Sequence, residues 1–284
     1  MDREIVLAIL VALLCGSALT AAGWWPARSP VASSGRVLER RAWRRLWLPF
    51  VPAVLLFAAL CGWAVVEPAD AERVPTGLLL GALPFAAVLL RAAWRALRSA
   101  MRAHGKLTIG TVGLFRPRIV LAPDIAARLD APALAAALAH EWAHVRHRDP
   151  MRLWLAQVGS DLCWPWPLAA ARYRCWRQAL ELARDDEARG DGVAGPDLAA
   201  AILSALRFNQ SAPLPSAATL GGDASDAAFV KERIARLMRP LDPAPPDENQ
   251  SRAWLLGVAF GVVVAAVLGT TFGEPVVRSL LLVV

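Results

Sequence analysis

Five consecutive residues in the middle of the chain, His140-Glu141-Trp142-Ala143-His144, have the types and the spacing that zinc-dependent hydrolysis requires. On an α-helix the two histidines lie about 40° apart around the axis and about 6 Å apart along it, so both imidazoles can bind one ion. Glu141 lies beside them, where its carboxylate can take a proton from a water molecule that zinc has acidified. The motif predicts peptide-bond hydrolysis, with His140 and His144 as zinc ligands and Glu141 as general base.

The residues around the motif favour the helix on which this geometry depends. Asp130 is a suitable N-cap, Pro132 lies in the first turn, and an Ala- and Leu-rich stretch follows as far as Arg148. His147 shares the face of the two motif histidines but lies about 10 Å along the axis from His140, too far to bind the same ion. We expect His147 to be solvated or to support a ligand.

Further elements are predicted on either side of the motif helix. Residues 107–109 and 118–121 are short apolar pieces separated by glycine and proline, a pattern typical of a small hairpin. Arg118 to Leu121 is the candidate strand for holding a substrate by main-chain hydrogen bonds, although it can equally be a strand that only covers the core. Asp149 and Pro150 predict the start of a helix that ends near Leu162, and capping accounts for Asp149.

A third metal ligand must come from another segment. Pro165 and Pro167 open a helix that is predicted to run to about Arg189. Near its end Glu181 and Asp185 are four residues apart and share a face. One can bind the metal while the other accepts a hydrogen bond from a ligating histidine; a solvated acidic helix end is the alternative. Tyr173, on the same helix, is a weak candidate for stabilising an oxyanion.

The chain of 284 residues is 56% hydrophobic, too apolar for an ordinary soluble protein. The excess lies in charge-free runs of about 17 to 21 residues, long enough to cross about 30 Å of hydrocarbon. The first run is preceded by Asp2, Arg3 and Glu4 and not by a basic region, so we expect a retained span and not a cleaved signal peptide. The predicted transmembrane helices cover residues 5–22, 46–66, 74–90 and 253–273.

The distribution of arginine predicts the orientation of these spans, because short cytoplasmic loops are enriched in Lys and Arg. The loop between spans one and two contains Arg28, Arg36, Arg40, Arg41, Arg44 and Arg45. The link between spans two and three contains Glu67, Asp70, Glu72 and Arg73, and span three is followed by Arg91, Arg95, Arg98, Arg102 and Lys106. The long segment with the zinc motif is therefore predicted to be cytoplasmic and both termini extracytoplasmic. The same arginines explain the net charge of +7, so direct nucleic-acid binding is not expected.

These predictions describe a mainly α membrane protein with four transmembrane helices and a cytoplasmic α+β zinc peptidase domain that contains a small β-hairpin. Residues 1–98 form the membrane domain with three spans, 99–246 the peptidase domain, and 247–284 the fourth span with a short extracytoplasmic tail. Two further helices, 196–206 and 229–238, enclose a Ser/Pro/Gly-rich loop, 210–226. The four cysteines show no Cys-x-x-Cys spacing, and reduced thiols are expected.

The motifs in this order resemble the BlaR/MecR-type antirepressor membrane metallopeptidases. The resemblance rests on Phe115–Leu121, His140–His144 followed by Arg-His-Arg-Asp-Pro, and Glu181-Leu-Ala-Arg-Asp-Asp-Glu-Ala, and it covers roughly residues 1 to 272. It implies a peptidase domain of gluzincin type with zinc ligands at His140, His144 and Glu181, Glu141 as general base, and Asp185 as the carboxylate that supports a ligating histidine. It also implies a plasma-membrane protein that cleaves a cytoplasmic transcriptional repressor of winged-helix type, and a homodimer is an assembly that the sequence allows.

Two departures from that family are visible. Its best-known members continue into an extracellular penicillin-binding sensor domain, which we expect to be absent here. Arg184 occupies a position that is cysteine in the family, and no catalytic consequence is expected. Two alternatives stay open: an HtpX-like quality-control membrane protease, and a non-enzymatic membrane signalling protein with a structural zinc. A structural site closes with four protein ligands and needs no adjacent base, so the presence of Glu141 favours an enzyme.

Overall fold

The computed structural model describes residues 3–27, 34–66, 74–101, 109–211, 224–241 and 250–282. Within these residues the protein is mainly helical, with a two-stranded antiparallel sheet. Its elements are α1 (Arg3–Leu10), α2 (Gly16–Gly23), α3 (Gly35–Trp47), α4 (Val51–Val66), α5 (Thr76–Met101), β1 (Ile109–Val112), β2 (Arg118–Leu121), α6 (Pro123–Ala126), α7 (Ala131–Arg146), α8 (Asp149–Leu162), α9 (Pro167–Gly190), α10 (Gly195–Ser211), α11 (Ala224–Leu237) and α12 (Gln250–Leu282).

Four helices are long and apolar enough to cross a membrane, as predicted. A π-helical turn joins α1 to α2, and a short 3-10 turn joins α3 to α4, so each pair is one continuous rod. The rods extend beyond the predicted apolar runs: the second begins at Gly35, the third continues to Met101, and the fourth continues through Pro275 to Leu282. The residues predicted as a tail are thus helical as far as Leu282.

The second and fourth spans cross with their backbones almost in contact. A β-carbon added to Gly62 would lie 2.0 Å from the carbonyl oxygen of Ala266, and one added to Gly269 would lie 1.9 Å from that of Ala59. Small residues permit this approach, which maximises van der Waals contact where no hydrophobic driving force acts between helices. The crossing therefore depends on glycine on both helices.

The arginine-rich α3 is helical because one of its faces is apolar and packs on α9. Ala42 and Leu46 are four residues apart on that face, and they form a buried cluster with Trp176, Leu180 and Ala156. The backbone N–H of Gly35 donates to Asp186 at 2.7 Å, which fixes the start of α3 against the end of α9. The rod that contains the second span is therefore attached directly to α9.

The first and third spans also contact the segment between β1 and α9. Arg172 of α9 donates to the carbonyl oxygens of Trp25, at 2.5 Å, and Ala22, at 2.8 Å, at the end of α2. Arg95 of α5 donates to Asp161 of α8 at 3.0 Å. The segment thus lies against one end of the helix bundle, where spans one and three end and span two begins.

The predicted limits of the three central helices are confirmed to within two residues, and Asp130 caps α7 by accepting a hydrogen bond from the amide of Ala133 at 2.9 Å. The hairpin is confirmed, but its first strand is Ile109–Val112, paired with Arg118–Leu121. Leu107 and Thr108, which were assigned to that strand, lie outside the described residues. Residues 212–223 of the predicted loop 210–226 lie outside them too, as do residues 242–249 before the last span, and the remaining loop residues belong to α10 and α11.

Candidate metal centre

The centre lies between α7 and α9, which pack side by side. On α7 the residues one turn and two turns before His140 are Ala136 and Ala133, and both are buried, as is Ala143 between the two histidines. These small side chains allow neighbouring helices to approach closely and leave room for the two imidazoles. His140 and His144 are 7% and 8% exposed.

Three side chains present one ligand atom each to a common point. The two Nε2 atoms of His140 and His144 are 3.1 Å apart. A carboxylate oxygen of Glu181 lies 3.5 Å from Nε2 of His140, and the other lies 3.8 Å from Nε2 of His144. Tetrahedral zinc with bonds of about 2.0–2.1 Å separates its ligand atoms by about 3.3 Å. The three residues can therefore hold a metal ion without a change of backbone.

Asp185 supports the first histidine, at the place where the sequence predicted a supporting carboxylate. Its Oδ1 lies 3.0 Å from Nδ1 of His140, and the residue is 2% exposed. A carboxylate can only accept, so Nδ1 carries a proton and Nε2 is the atom that can bind an ion.

Asp149 supports the second histidine, and its interpretation as a helix cap is wrong. Its Oδ2 lies 2.8 Å from Nδ1 of His144, the residue is fully buried, and the residue in the N-cap position of α8 is Arg148. Arg148 adopts a left-handed conformation, with φ 51°, that reverses the chain between α7 and α8. The reversal brings Asp149 beneath the histidine five residues earlier.

Arg184, for which no role was expected, holds Asp149 in place. Its Nε and Nη2 donate to the two oxygens of Asp149 at 2.5 and 2.9 Å, and Nη1 donates to Glu187 at 3.3 Å. Arg152 also donates to Asp149, at 3.2 Å, and pairs with Glu39 of α3. The second histidine is thus connected to the rod of the second span through side chains.

Arg233 of α11 holds the acidic side of the centre. Its Nε and Nη2 donate to the two oxygens of Asp185, each at 2.8 Å, and Nη1 lies 3.0 Å from Glu181. Sequence reasoning missed this residue because 47 residues separate it from Asp185 and no motif marks it. The sequence showed Arg233 only as a basic residue on the predicted helix 229–238.

The charges of the centre raise or lower the pKa of its members. Burial alone would lower the pKa of His140, but Asp185 and Glu181 outweigh it and raise the value to about 9. Burial would raise the pKa of Glu181 and of Asp185, but Arg233 and His140 hold both below their usual range. The carboxylates therefore remain ionised at neutral pH, a state suited to a cation.

Glu141 has a partner on the hairpin. The hydroxyl of Thr111, in β1, lies 2.8 Å from Oε2 of Glu141 and 3.1 Å from its carbonyl oxygen. The charge of Arg233 also acts on Glu141. The hydroxyl of Thr111 therefore orients the predicted base. Thr111 belongs to β1, so the strand that contacts Glu141 is β1 and not the candidate substrate strand β2.

The remaining candidate residues lie elsewhere. His147 is half-exposed and pairs with Glu187 at 2.8 Å. Tyr173 packs near Trp176 in the apolar cluster between α3 and α9, which gives the oxyanion hypothesis no support. The described cysteines form no disulfide, and burial raises the pKa of Cys163 to about 11, which makes it a poor ligand at neutral pH.

Two imidazoles four residues apart on one helix, with a carboxylate from a second helix, are an arrangement typical of metal-dependent hydrolases. Residues 110–189, from β1 to the end of α9, match the family model described as BlaR1 peptidase M56. Over this segment the match confirms the resemblance to the BlaR/MecR type and supports a membrane metallopeptidase. No curated protein and no solved structure matches the chain significantly.

Proposed function

We propose that the protein is a membrane-embedded, zinc-dependent endopeptidase that cleaves a cytoplasmic protein. One observation carries the proposal: both imidazoles turn Nε2 toward Glu181 while a buried carboxylate holds each Nδ1. This arrangement fixes both tautomers and is the usual support of zinc-binding histidines. His140, His144 and Glu181 would hold the ion.

The nitrogen and carboxylate donors favour zinc, and three protein ligands leave a coordination position open for catalysis. Within the described residues, the group of possible ligands consists of those three. A structural site would require a fourth. Zinc held there would supply the Lewis acidity that activates water and polarises a peptide carbonyl.

The rest of the reaction belongs to the residues of the chain. Glu141 accepts a proton on a carboxylate oxygen and returns it to the departing amide nitrogen, as a general base and then a general acid. Thr111 holds that carboxylate in place. Arg233 lies close enough to Glu181 for its charge to favour a developing oxyanion as well.

Replacing Glu141 tests the proposal. Purified Glu141→Gln should bind one equivalent of zinc, as the original protein does, and lose proteolysis by at least a hundredfold, because a base is removed and no ligand is changed. Glu181→Gln is the matched variant and should lose zinc. Full proteolysis by Glu141→Gln, or loss of its zinc, would contradict the proposed role.

The proposed substrate is a transcriptional repressor of winged-helix type, cleaved at an exposed segment that docks along the hairpin. The resemblance to the BlaR/MecR type supports this choice, and the exposed side chains of Arg118 and Val120 leave β2 accessible. A comparison of cell proteomes with the active protein and with Glu141→Gln tests it. An intact repressor should accumulate in the inactive strain; accumulation of many misfolded membrane proteins instead would indicate the HtpX-like alternative.

A further inference from the structure

A second polar site lies behind the metal centre, between α3 and α9. It is a cavity of about 400 Å³ with Ala183 on one wall. Four arginines, two glutamates and one histidine contribute to its lining, so its charge is positive when the histidine is neutral. The charged members are Arg36, Arg40, Arg152, Arg184, Glu39 and Glu187.

Both glutamates of the lining are already engaged by other groups. Glu39 pairs with Arg152 and accepts a hydrogen bond from Trp176 at 3.2 Å. Glu187 pairs with Arg146 at 2.9 Å, with His147 at 2.8 Å and with Arg184 at 3.3 Å. Both glutamates of the lining thus have cationic partners, and Arg152 and Arg184 are shared with the buried Asp149.

The positive charge at the mouth comes from α3. Arg36 and Arg40 are four residues apart, share one face of the helix and are exposed. Arg152 is held from behind by its stacking over Trp43, 4.7 Å from the ring centroid, so its guanidinium is already ordered. Ordered guanidinium groups cost little entropy when they bind a tetrahedral oxyanion, and their forked donors match its geometry.

We propose that this cavity binds the phosphate group of a small soluble molecule. The volume is sufficient for a phosphate with a substituent, and small-molecule sites begin at about 300 Å³. Arg36 and Arg40 precede the apolar part of the rod at Leu46 by ten and six residues, about 15 and 9 Å along the axis. That distance favours a soluble ligand over a lipid headgroup.

Occupation of the cavity would also act on the metal centre, a consequence that rests on the proposed function. Arg152 and Arg184 line the cavity and also hold Asp149, the support of His144. A phosphate competes with Asp149 for these guanidinium groups and weakens the support of the ligand. Zinc affinity should therefore fall when the cavity is filled, and the coupling must be reciprocal.

Calorimetric titration of the full-length, zinc-loaded protein with phenyl phosphate tests the site without any reference to proteolysis. The original protein should bind, the double variant Arg36→Ala, Arg40→Ala should bind at least tenfold more weakly, and Arg41→Ala, on the same helix but outside the cavity lining, should bind within twofold of the original. Absent binding, or equal binding by the double variant, would overturn the proposal. Binding only to nanodiscs that contain anionic lipid would overturn the soluble ligand.

The coupling is measured by chelator competition for zinc with and without phenyl phosphate. The zinc dissociation constant of the original protein should rise severalfold and that of the double variant should not, which also controls for any direct binding of zinc by the phosphate. Equal changes in both proteins would overturn the coupling and leave the binding result standing. Failure of the proposed peptidase function would appear only in the proteolysis of Glu141→Gln.

Discussion

Each histidine of the metal centre rests on its own buried carboxylate, and each carboxylate rests on its own arginine. Asp185 supports His140 and is held by Arg233, whereas Asp149 supports His144 and is held by Arg184. The two carboxylates come from different helices, Asp149 from α8 and Asp185 from α9, so each can be replaced while the other keeps its histidine. They can therefore be tested separately.

Asp149→Asn should weaken zinc binding by about ten- to a hundredfold, because an amide can present its N–H₂ to Nδ1 and no longer fixes the tautomer. Chelator competition measures the zinc dissociation constant. Asp191→Asn, on the surface and in contact with Arg146, should leave it unchanged. Since Asp149 is buried against arginine, circular dichroism must confirm the fold; a folded variant with full zinc affinity would contradict the assignment.

Thr111→Val should reduce kcat about tenfold, equivalent to about 1.4 kcal/mol, at unchanged zinc content, because a hydrogen bond to a charged carboxylate is lost without a change of shape. Steady-state kinetics and metal analysis provide the two readouts. Thr270→Val, in the last span, is the control. A loss of zinc, or a change confined to KM, would show that Thr111 does not position the base.

Helical spacing made half of the centre predictable. His140 and His144, and then Glu181 and Asp185, are each four residues apart, so a helix alone brings each pair together. The contact of Asp149 with His144 could not be predicted in this way, because Asp149 lies beyond the end of α7. Its position depends on the left-handed conformation of Arg148. No local rule predicts that conformation for arginine, so a cap was the simplest interpretation.

Among the elements, α11 has the greatest influence on the centre for its size. It brings Arg233 to Asp185 and Glu181, and Arg236 to Asp186 at 2.8 Å. The sequence predicted that α11 is a helix, but it did not predict that α11 contacts α9. Contacts between residues far apart in the sequence produce no periodic pattern. The packing of α3 was not predictable either: its arginines indicated a membrane flank, and its packing on α9 could be seen only in the fold.

Arg233→Met should lower the melting temperature of the metal-free protein, because removing one partner of a buried ion pair costs about 3–5 kcal/mol. Zinc should then raise the melting temperature by more than in the original protein, since the ion supplies positive charge beside Glu181. Thermal unfolding in detergent, with and without zinc, gives both values. Lys231→Met, exposed on the same helix, is the control, and equal zinc increments in the two variants would contradict this account.

At the scale of the whole molecule, the contacts place the ends of spans one and three and the start of span two on the side of the metal centre. The spans could be predicted from charge-free runs alone, because hydrocarbon thickness fixes their length. The helices that continue beyond the apolar runs could not be predicted from the same runs. The length of α3, for example, depends on its contacts with α9. From the distribution of arginine we predict that the shared side is cytoplasmic.

A topology experiment tests that assignment. A reporter that is active only outside the cytoplasm should be active when fused after Val284, and a cytoplasmic fluorescent reporter at the same site should be dark. Fusion of either reporter after Met238, close to α11, should give the reverse result. A fluorescent fusion at Val284 would show that the arginine asymmetry does not set the orientation.

The close crossing of the second and fourth spans gives the protein a fulcrum. The second span is one rod from Gly35 to Val66, pinned near Gly62 by backbone contact and linked at Glu39 to Arg152, which holds Asp149. Glu39 lies 23 residues before Gly62, which gives a lever arm of about 35 Å. A tilt of about 5° at the fulcrum moves Glu39 by about 3 Å, more than a hydrogen bond tolerates. Because α3 also packs on α9, a small reorientation of the second span must either carry α9 with it or break the contact of Glu39 with Arg152.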